Sequence, residues 1–438
     1  MVDPPGTGAN GAADSIYEEI FMRRALELAE RGRGRVSPNP MVGCVLVKDG
    51  QIVGEGWHRQ AGEPHAEAEA LYDAGPAAAG ATAYVTLEPC NHHGRTPPCT
   101  EALISAGVAR VVVAALDPNP RVNGAGLDRL RQAGVEVVTG VLQDEANRQN
   151  EVFRTNQLLG RPFVLYKTAM SLDGKVSVGE GPARWITGDA ARARVHELRN
   201  EFDAVSVGIG TVIADDPSLT TRLADPNKST LTGDPVNGAG AALPGRTPVK
   251  VVFDSNLRVP PHARLFEPGP DGAPARVIVV ASERALQRNP HATSALRTLL
   301  NRGADVIFVP EERGRPQLRP ALTELLNRGV TSLLLEGGGD LAWAFLEAEL
   351  IDRVAWFVAP TLIGGSGIPG PVGGAGAATI NDAVHLPDMQ VEMVGSDLLV
   401  TGHPDYPVVL VDDAAEHEPG TEVADETERG DENARSER

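Results

Sequence analysis

The chain has 438 residues, enough for two domains that each bury a core, and its 42% apolar and 23% charged residues are the balance of an ordinary water-soluble protein. A formal charge of −19 excludes a broad nucleic-acid-binding surface, which needs a basic patch. No run approaches the ~20 apolar residues of a membrane helix, the N-terminus shows no signal-peptide pattern, and three cysteines give no disulfide framework, so a reducing cytoplasm is the expected compartment.

Residues 1–14 are rich in Gly, Pro and Ala and are expected to be disordered. Periodicity then predicts an amphipathic helix over Ile16–Ala29. SPNPMVGCVLVKDGQIVGEGWH reads as two strands turning at Asp49-Gly50, with Cys44 a buried free thiol. Pro64 leads into a short helix, HAEAEALYDAG, with His65 and Glu67 in its first turn. The strand ATAYVTLE is left at Pro89-Cys90, and Cys99 starts the helix CTEALISAG, whose N-terminus favours a thiolate. ARVVVAAL, AGLDRLRQAG and VEVVTG follow as strand, helix and strand, an alternation that implies a mixed sheet with helices on both faces.

Asp144–Leu159 reads as a polar helical connector ending at Arg161-Pro162. The expected division is a first domain at 15–145, a connector at 146–160, a second α/β domain at 161–405 and an acidic tail at 406–438. From Asp412 to Arg438 eleven residues are acidic and three basic, so the tail carries much of the net charge. Strands of the second domain are expected at FVLYKTAMS, FDAVSVGIG, PVKVVFD, ARVIVVAS, ADVIFVP, TSLLLEGGG and RVAWFVAP. Leu223–Arg246 and Gly364–Ala378, dominated by Gly, Pro and small residues, read as inserted, mobile surface loops.

His65, Cys90 and Cys99 carry the strongest chemical signal. A lone histidine at a helix start is more often a cap, and two intracellular cysteines are more often core residues. Together with Glu67 they resemble zinc deaminases: His-x-Glu, then Pro-Cys and a second Cys. One imidazole and two thiolates suit Zn²⁺ and leave a fourth position for water, and Glu67 is placed to carry protons. The usual second half is Pro-Cys-x-x-Cys, whereas eight residues separate Cys90 from Cys99 here. A structural zinc would need a fourth ligand, for which His92 or His93 is available.

The second half carries two glycine-rich strand-to-helix turns, Val207–Thr211 and Leu334–Asp340. Such turns let backbone N–H groups approach a phosphate, although most merely reverse the chain. Neither is a G-x-G-x-x-G fingerprint or a P-loop, so a standard Rossmann or NTPase domain is not expected. Lys167, Ser171, Asp173, Thr187 and Arg199 are polar residues near these turns that spacing alone does not single out.

SPNPMVG, HAEAEAL, TLEPCNHHGRTPPC, SLDGK, WITG, GIGTVIADDPSLTTR and LLLEGGG, in this order over roughly residues 16–403, resemble the bifunctional riboflavin-biosynthesis deaminase/reductase family. The resemblance implies a cytidine-deaminase-like three-layer zinc domain followed by a dihydrofolate-reductase-like α/β domain that uses NADPH. It implies deamination of a 2,5-diamino-6-(5-phosphoribosylamino)pyrimidin-4(3H)-one by zinc-activated water, then reduction of the ribosyl group to ribityl. For the first step it places Asn39, His58, His92 and Arg95 at the substrate, the last two at its phosphate, with Glu67 catalytic and His65, Cys90 and Cys99 on the metal. For the second it places NADPH at Ala169, Trp185, Thr211, Asp215, Ser255, Gly338, Gly339, Asp340, Leu341, Ala342, Trp343 and Ala344. Substrate contacts fall at Ala183, Arg199, Leu219, Arg222 and Glu336; Ala183 departs from a serine in a relative, and Asp215 and Lys167 are both open as proton donor. A homodimer or homotetramer is implied by the family. The rival expectations are a deaminase with a degenerate reductase half and a nucleic-acid base deaminase, the latter disfavoured by the acidic charge, the long cysteine spacer and the second domain.

Overall fold

The computed structural model describes residues 8–92, 97–119, 122, 124–178, 185–223, 245–270 and 272–407. Helix α1 (Gly8–Glu30) begins before the expected Ile16, inside the stretch read as disordered. It lays Met22, Ala25 and Leu28 on the first sheet. Strands β1 (Gly43–Lys48) and β2 (Gln51–Trp57) form the expected hairpin, and positive φ at both Asp49 and Gly50 supplies the tight turn. α2 (Ala66–Ala74), β3 (Thr82–Leu87), α3 (Cys99–Ser105), β4 (Arg110–Ala115), α4 (Ala125–Gln132) and β5 (Glu136–Thr139) follow.

The first sheet has the order β2-β1-β3-β4-β5, antiparallel around β1 and parallel from β3 to β5. Alternate strand residues feed two cores. Cys44, Leu46, Val85, Val111 and Val113 pack with Ala66 and Ala70 of α2, Leu103 of α3 and Leu127 of α4, whereas Val45, Tyr84 and Val112 pack under α1. That alternation makes a three-layer domain.

The connector is two helices, α5 (Gln143–Gln149) and α6 (Glu151–Leu159), not one stretch. They break at Asn150, whose side-chain amide accepts from the Met41 N–H and donates to the Met41 C=O, both at 2.8 Å.

The second domain runs β6 (Phe163–Ser171), α7 (Asp189–Glu201), β7 (Ala204–Gly208), α8 (Ile209–Asp215), β8 (Val249–Phe253), β9 (Val277–Ser282), α9 (Ala285–Arg288), α10 (Ala292–Asn301) and β10 (Ala304–Val309). A two-residue pair, β11 (Glu311–Glu312) and β12 (Arg315–Pro316), precedes α11 (Leu318–Asn327), β13 (Ser332–Leu335), α12 (Gly339–Glu347), β14 (Arg353–Ala359), β15 (Gln390–Val394) and β16 (Asp397–Gly402). Nine strands form one sheet in the order β10-β9-β8-β7-β13-β6-β14-β16-β15, parallel as far as β14. The interior strands are buried on both faces, which is why VKVVF, VIVVAS and SLLL are continuous apolar runs. The closing antiparallel strands β15 and β16 were not among the expected elements.

Gly364–Ala378 corrects an expectation. Instead of a mobile insertion it is fastened to the body: Gly373 N–H donates to Gly339 C=O at 3.0 Å, Val176 N–H donates to Pro369 C=O at 3.1 Å, and the Tyr166 hydroxyl donates to Pro371 C=O. Its glycines permit close packing, since a Cβ on Gly374 would lie 2.1 Å from the Trp343 ring. Of the other expected insertion, residues 224–244 lie outside the described residues.

Candidate active sites

His65 is the N-cap of α2, Cys90 lies just past the end of β3, and Cys99 is the first residue of α3. The fold thus draws three separated segments to one point. The His65 Nδ1 stands 3.6 Å from Cys90 Sγ and 3.3 Å from Cys99 Sγ, and all three ligand atoms lie within 4.8 Å of one another. No other cluster of potential metal ligands occurs among the described residues, and His92 is not part of this one. His93 and Arg95 lie outside the described residues.

Glu67, in the first turn of α2, is buried beside this cluster, and burial pushes its carboxyl up to about 7. The neighbouring Cys99 thiol and the His65 imidazole hold Cys90 down at about 4, whereas Cys90 and burial push Cys99 up, and Cys90 raises His65. The Cys99 backbone N–H also donates to Cys90 Sγ at 3.4 Å, a stabiliser of thiolate at a helix start.

Asn39 and His58 are brought together as expected. His58 Nδ1–H donates to the Pro64 C=O at 3.0 Å, so its Nε2 accepts from Asn39 Nδ2 at 3.0 Å. Burial lowers the His58 pKa, in keeping with this neutral tautomer. Its ring stands edge-on to His65 with centroids 5.5 Å apart. His92 is exposed.

Glu88 is a residue that the sequence did not single out. It is buried and accepts backbone N–H groups from Asp117, Gly124 and Gly126 at 3.3, 3.0 and 3.0 Å, bracing the segment that flanks Pro89-Cys90. Gly126 must stay bare there, because a Cβ would lie 2.3 Å from the Pro89 carbonyl. A carboxylate directly after an apolar strand and before the Pro-Cys pair was the available signal.

In the second domain the candidate residues gather at the C-terminal ends of the parallel strands, where open α/β sheets bind ligands. The register pairs Leu335 of β13 with Tyr166 of β6 and so sets Glu336 beside Lys167. Arg199 Nε and Nη2 donate to Glu336 at 2.7 and 2.9 Å, and Lys167 Nζ donates at 3.3 Å. Burial opposes the Glu336 charge, but these two cations outweigh it and hold the carboxyl well below the usual range. The remaining Arg199 nitrogen, Nη1, donates to Thr220 C=O at 3.2 Å, so this guanidinium is fully engaged, whereas the Arg222 guanidinium is exposed and, among the described residues, donates to Ser218 Oγ at 3.3 Å.

His196, one turn before Arg199 on α7, was missed by sequence reasoning. Its Nδ1 accepts from the Arg222 backbone N–H at 3.3 Å, and burial with the nearby Arg199 and Arg222 charges lowers it to about 4. The i, i+3 spacing in HELR was its signal.

The two glycine turns lie side by side. A Cβ on Gly338 would approach Thr211 Oγ1 at 3.8 Å, and one on Gly208 would meet Leu341. Ala169 lies within β6. Ser255 follows buried Asp254, which accepts the N–H groups of Asn256, Arg258 and Val259 and so fixes that loop. Leu219 is buried with positive φ. Trp185 is exposed beneath the Arg192 guanidinium, Asp215 is exposed at the end of α8, and Ala183 lies outside the described residues.

Comparison with known proteins accounts for both halves. Residues 16–115 match the cytidine and deoxycytidylate deaminase zinc-binding region, and residues 162–400 match the RibD C-terminal domain. The chain is 41% identical over 389 residues to riboflavin biosynthesis protein RibD of Actinobacillus pleuropneumoniae, covering 89% of this chain and 95% of that protein. It is 41% identical over 383 residues to RibD of Escherichia coli strain K12, covering 87% and 98%. RibD of Acinetobacter baumannii superposes with a TM-score of 0.74 at 37% identity, over 89% of this chain and 99% of that one. The diaminohydroxyphosphoribosylaminopyrimidine deaminase/5-amino-6-(5-phosphoribosylamino)uracil reductase of Thermotoga maritima gives 0.71 at 36%, over 90% and 100%. The three-layer domain is cytidine-deaminase-like and the second is the dihydrofolate-reductase-like domain of RibD structures. No helix among the described residues is long and apolar enough to cross a membrane. A thiol–imidazole cluster beside a buried carboxylate, two adjacent glycine turns at the C-terminal ends of the second sheet's parallel strands, and relatives matched over nearly their whole length agree: the chain belongs to the RibD family of riboflavin biosynthesis proteins, which join a deaminase and a reductase.

Proposed function

We propose that the first domain deaminates 2,5-diamino-6-(5-phosphoribosylamino)pyrimidin-4(3H)-one and that the second reduces the ribosyl group of the product with NADPH, giving 5-amino-6-(5-phosphoribitylamino)uracil. The observation that carries this is the convergence of His65, Cys90 and Cys99 on one point beside buried Glu67.

The donor set fits zinc: one imidazole nitrogen and two sulfurs, one of them already biased to thiolate, with a fourth position free for water. Zinc held by these residues supplies an acidified water at that position. Glu67 carries two protons in turn, the first from the attacking water to the ring nitrogen and the second from the new hydroxyl to the amine, which leaves as ammonia while the carbonyl forms; a group shielded from bulk water suits this work. Asn39, held by neutral His58, presents its amide to the pyrimidine edge. His92 and Arg95 belong to the loop between the thiols and are assigned to the phosphate.

The paired glycine turns of the second domain fit a dinucleotide. Bare Gly208 and Gly338 leave a cradle that side chains would fill, Thr211 Oγ1 faces it, and Gly338–Ala344 turns into α12. NADPH bound there supplies hydride. Ala169, Trp185, Asp215 and Ser255 are assigned to the same cofactor. Arg222, an exposed cation, is assigned to the substrate phosphate, while Arg199 acts chiefly by orienting Glu336; Glu336, Leu219 and Ala183 are assigned to the same substrate. A cytoplasmic location and a homo-oligomer belong to this proposal and are checked by fractionation and sedimentation.

Purified protein supplied with the diaminopyrimidine nucleotide, with and without NADPH, tests both steps through ammonia release and NADPH absorbance. Glu67→Gln should abolish ammonia release while zinc stays bound, and Arg222→Ala should impair only NADPH oxidation. Near-normal ammonia release by Glu67→Gln would refute the proton-carrier role.

A further inference from the structure

Asp203 sits between α7 and β7 at the N-terminal edge of the reductase sheet, at the opposite end of β7 from its glycine turn. Its carboxylate nevertheless reaches into the other domain. The side chain is only 9% exposed and accepts from Ser37 Oγ at 2.8 Å, from the Thr331 N–H at 3.0 Å and hydroxyl, and from Arg246 Nη1 at 3.0 Å. Ser37 is 166 residues away in sequence and opens the SPNP segment of the deaminase domain.

From Ser37 the contacts run straight to the metal cluster. The Asn39 N–H donates to Val36 C=O at 2.8 Å, so Val36–Asn39 form one tight turn and Ser37 and Asn39 move together. Asn39 donates to His58 at 3.0 Å, and His58 donates to the carbonyl of Pro64, the residue before His65. The same segment is held at a second place: Arg33 pairs with Glu201 at 2.8 Å, and a Cβ on Gly34 would lie 3.0 Å from Glu201 Cα. A hydroxyl donating to a mostly buried carboxylate is a strong, directional bond.

We propose that Asp203 is a positioning residue for deamination: through Ser37 it holds the SPNP turn so that Asn39 and His58 present one fixed edge to the pyrimidine. The reductase domain therefore completes the deaminase site. This rests on the assignment of Asn39 as a substrate contact.

The test uses the full-length, zinc-loaded protein, four single variants, Ser37→Ala, Ser37→Thr, Asp203→Asn and Asn39→Ala, and the double variant that joins Ser37→Ala to Asp203→Asn. Ser37→Ala should raise the KM of ammonia release about tenfold with kcat changed less than about twofold, the signature of lost binding rather than lost chemistry. Ser37→Thr, which keeps the hydroxyl, should restore most of it. Asp203→Asn, which also weakens the Thr331 and Arg246 bonds, should give at least a similar rise, and adding Ser37→Ala to it should cost less than the sum of the two single losses, because both break the Ser37–Asp203 bond. NADPH oxidation with the preformed aminouracil nucleotide should be unchanged in Ser37→Ala. A wild-type KM in Ser37→Ala, additive effects in the double variant, or equal losses in both steps would each overturn the inference. Asn39→Ala separates the layers. If it raises the KM and Ser37→Ala does not, only the Asp203 link is wrong; if it too leaves the KM unchanged, the Asn39 assignment itself fails. Should Asp203→Asn fold poorly, Ser37→Ala and Ser37→Thr still decide.

Discussion

Two buried charges in the reductase domain show opposite balances. Glu336 receives a bidentate guanidinium and an ammonium, and its carboxyl is held below the usual range even though burial opposes the charge. Glu336→Gln would leave Arg199 and Lys167 without their partner, so it should lower stability by about 3 kcal/mol at neutral pH, read by urea unfolding. With the folded pKa depressed, that contribution is complete above the unfolded carboxyl value of about 4.3 and drains as pH falls from there toward the folded value. The gap between wild type and variant should therefore narrow in acid, and a constant gap would contradict the ion-cluster account. Among the described residues Lys250 donates to backbone carbonyls, Leu265 at 2.7 Å and Glu267 at 3.2 Å, and burial pushes its amine down to about 8. Between that value and the unfolded one of about 10.4 the unfolded chain binds more protons, so this group makes stability rise with pH. Lys250→Met should remove that rise; parallel stability curves for the two proteins between pH 8 and 10 would exclude it. Neither environment could be read from the sequence, where Lys250 is one polar position in an apolar strand and Arg199 looks like any helix arginine.

Elements set by local pattern were legible. The apolar runs of β6 to β10, β13 and β14, the Asp49-Gly50 hairpin and the helix that presents His65 and Glu67 all follow from periodicity and turn chemistry. So did the metal cluster, because its spacing is a chemical signature rather than a fold property. What escaped was set by distant partners. QVEMV and DLLVTG alternate weakly and become β15 and β16 only by pairing with each other and with β14. The Gly364–Ala378 segment looked like a loose loop because glycine marks both freedom and close approach, and only the Trp343 ring against Gly374 separates the two meanings. Gly374→Ala should accordingly do damage that loop flexibility would hide. It places a Cβ 2.1 Å from the ring at a residue with φ of 72°, displacing the start of α12, the turn proposed to hold the cofactor. Left-handed strain alone costs about 1 kcal/mol, so the expected outcome is a raised KM for NADPH with ammonia release intact. An unchanged KM would mean that the segment yields without moving α12.

At the scale of the whole molecule, two domains, each with a core on either face of its sheet, are joined by a polar seam and the helix α6. The deaminase cores draw on Met22 to Ala146 and the reductase cores on Phe163 to Leu399, while α6 sets Phe153 against the former and Val152 against the latter. The order of the two domains was visible in the motifs, but the seam was not: Ser37 and Asp203 are unremarkable residues until the fold apposes them. Separate cores with a hydrogen-bonded seam predict that metal removal acts on one domain. A metal held at a hundred times its dissociation constant stabilises the fold that binds it by about 2.7 kcal/mol. For a domain of about 100 residues that is a shift of roughly 10 °C or more. Stripping zinc with a chelator should thus end ammonia release and lower one calorimetric transition by about that amount. The second transition, and NADPH oxidation with the aminouracil nucleotide, should stay where they were, and returning zinc should restore the first. If both transitions fall together, α6 and the seam bind the cores into a single cooperative unit. The Asp203–Ser37 bond would then be one part of a much stiffer joint than its hydrogen bonds alone imply.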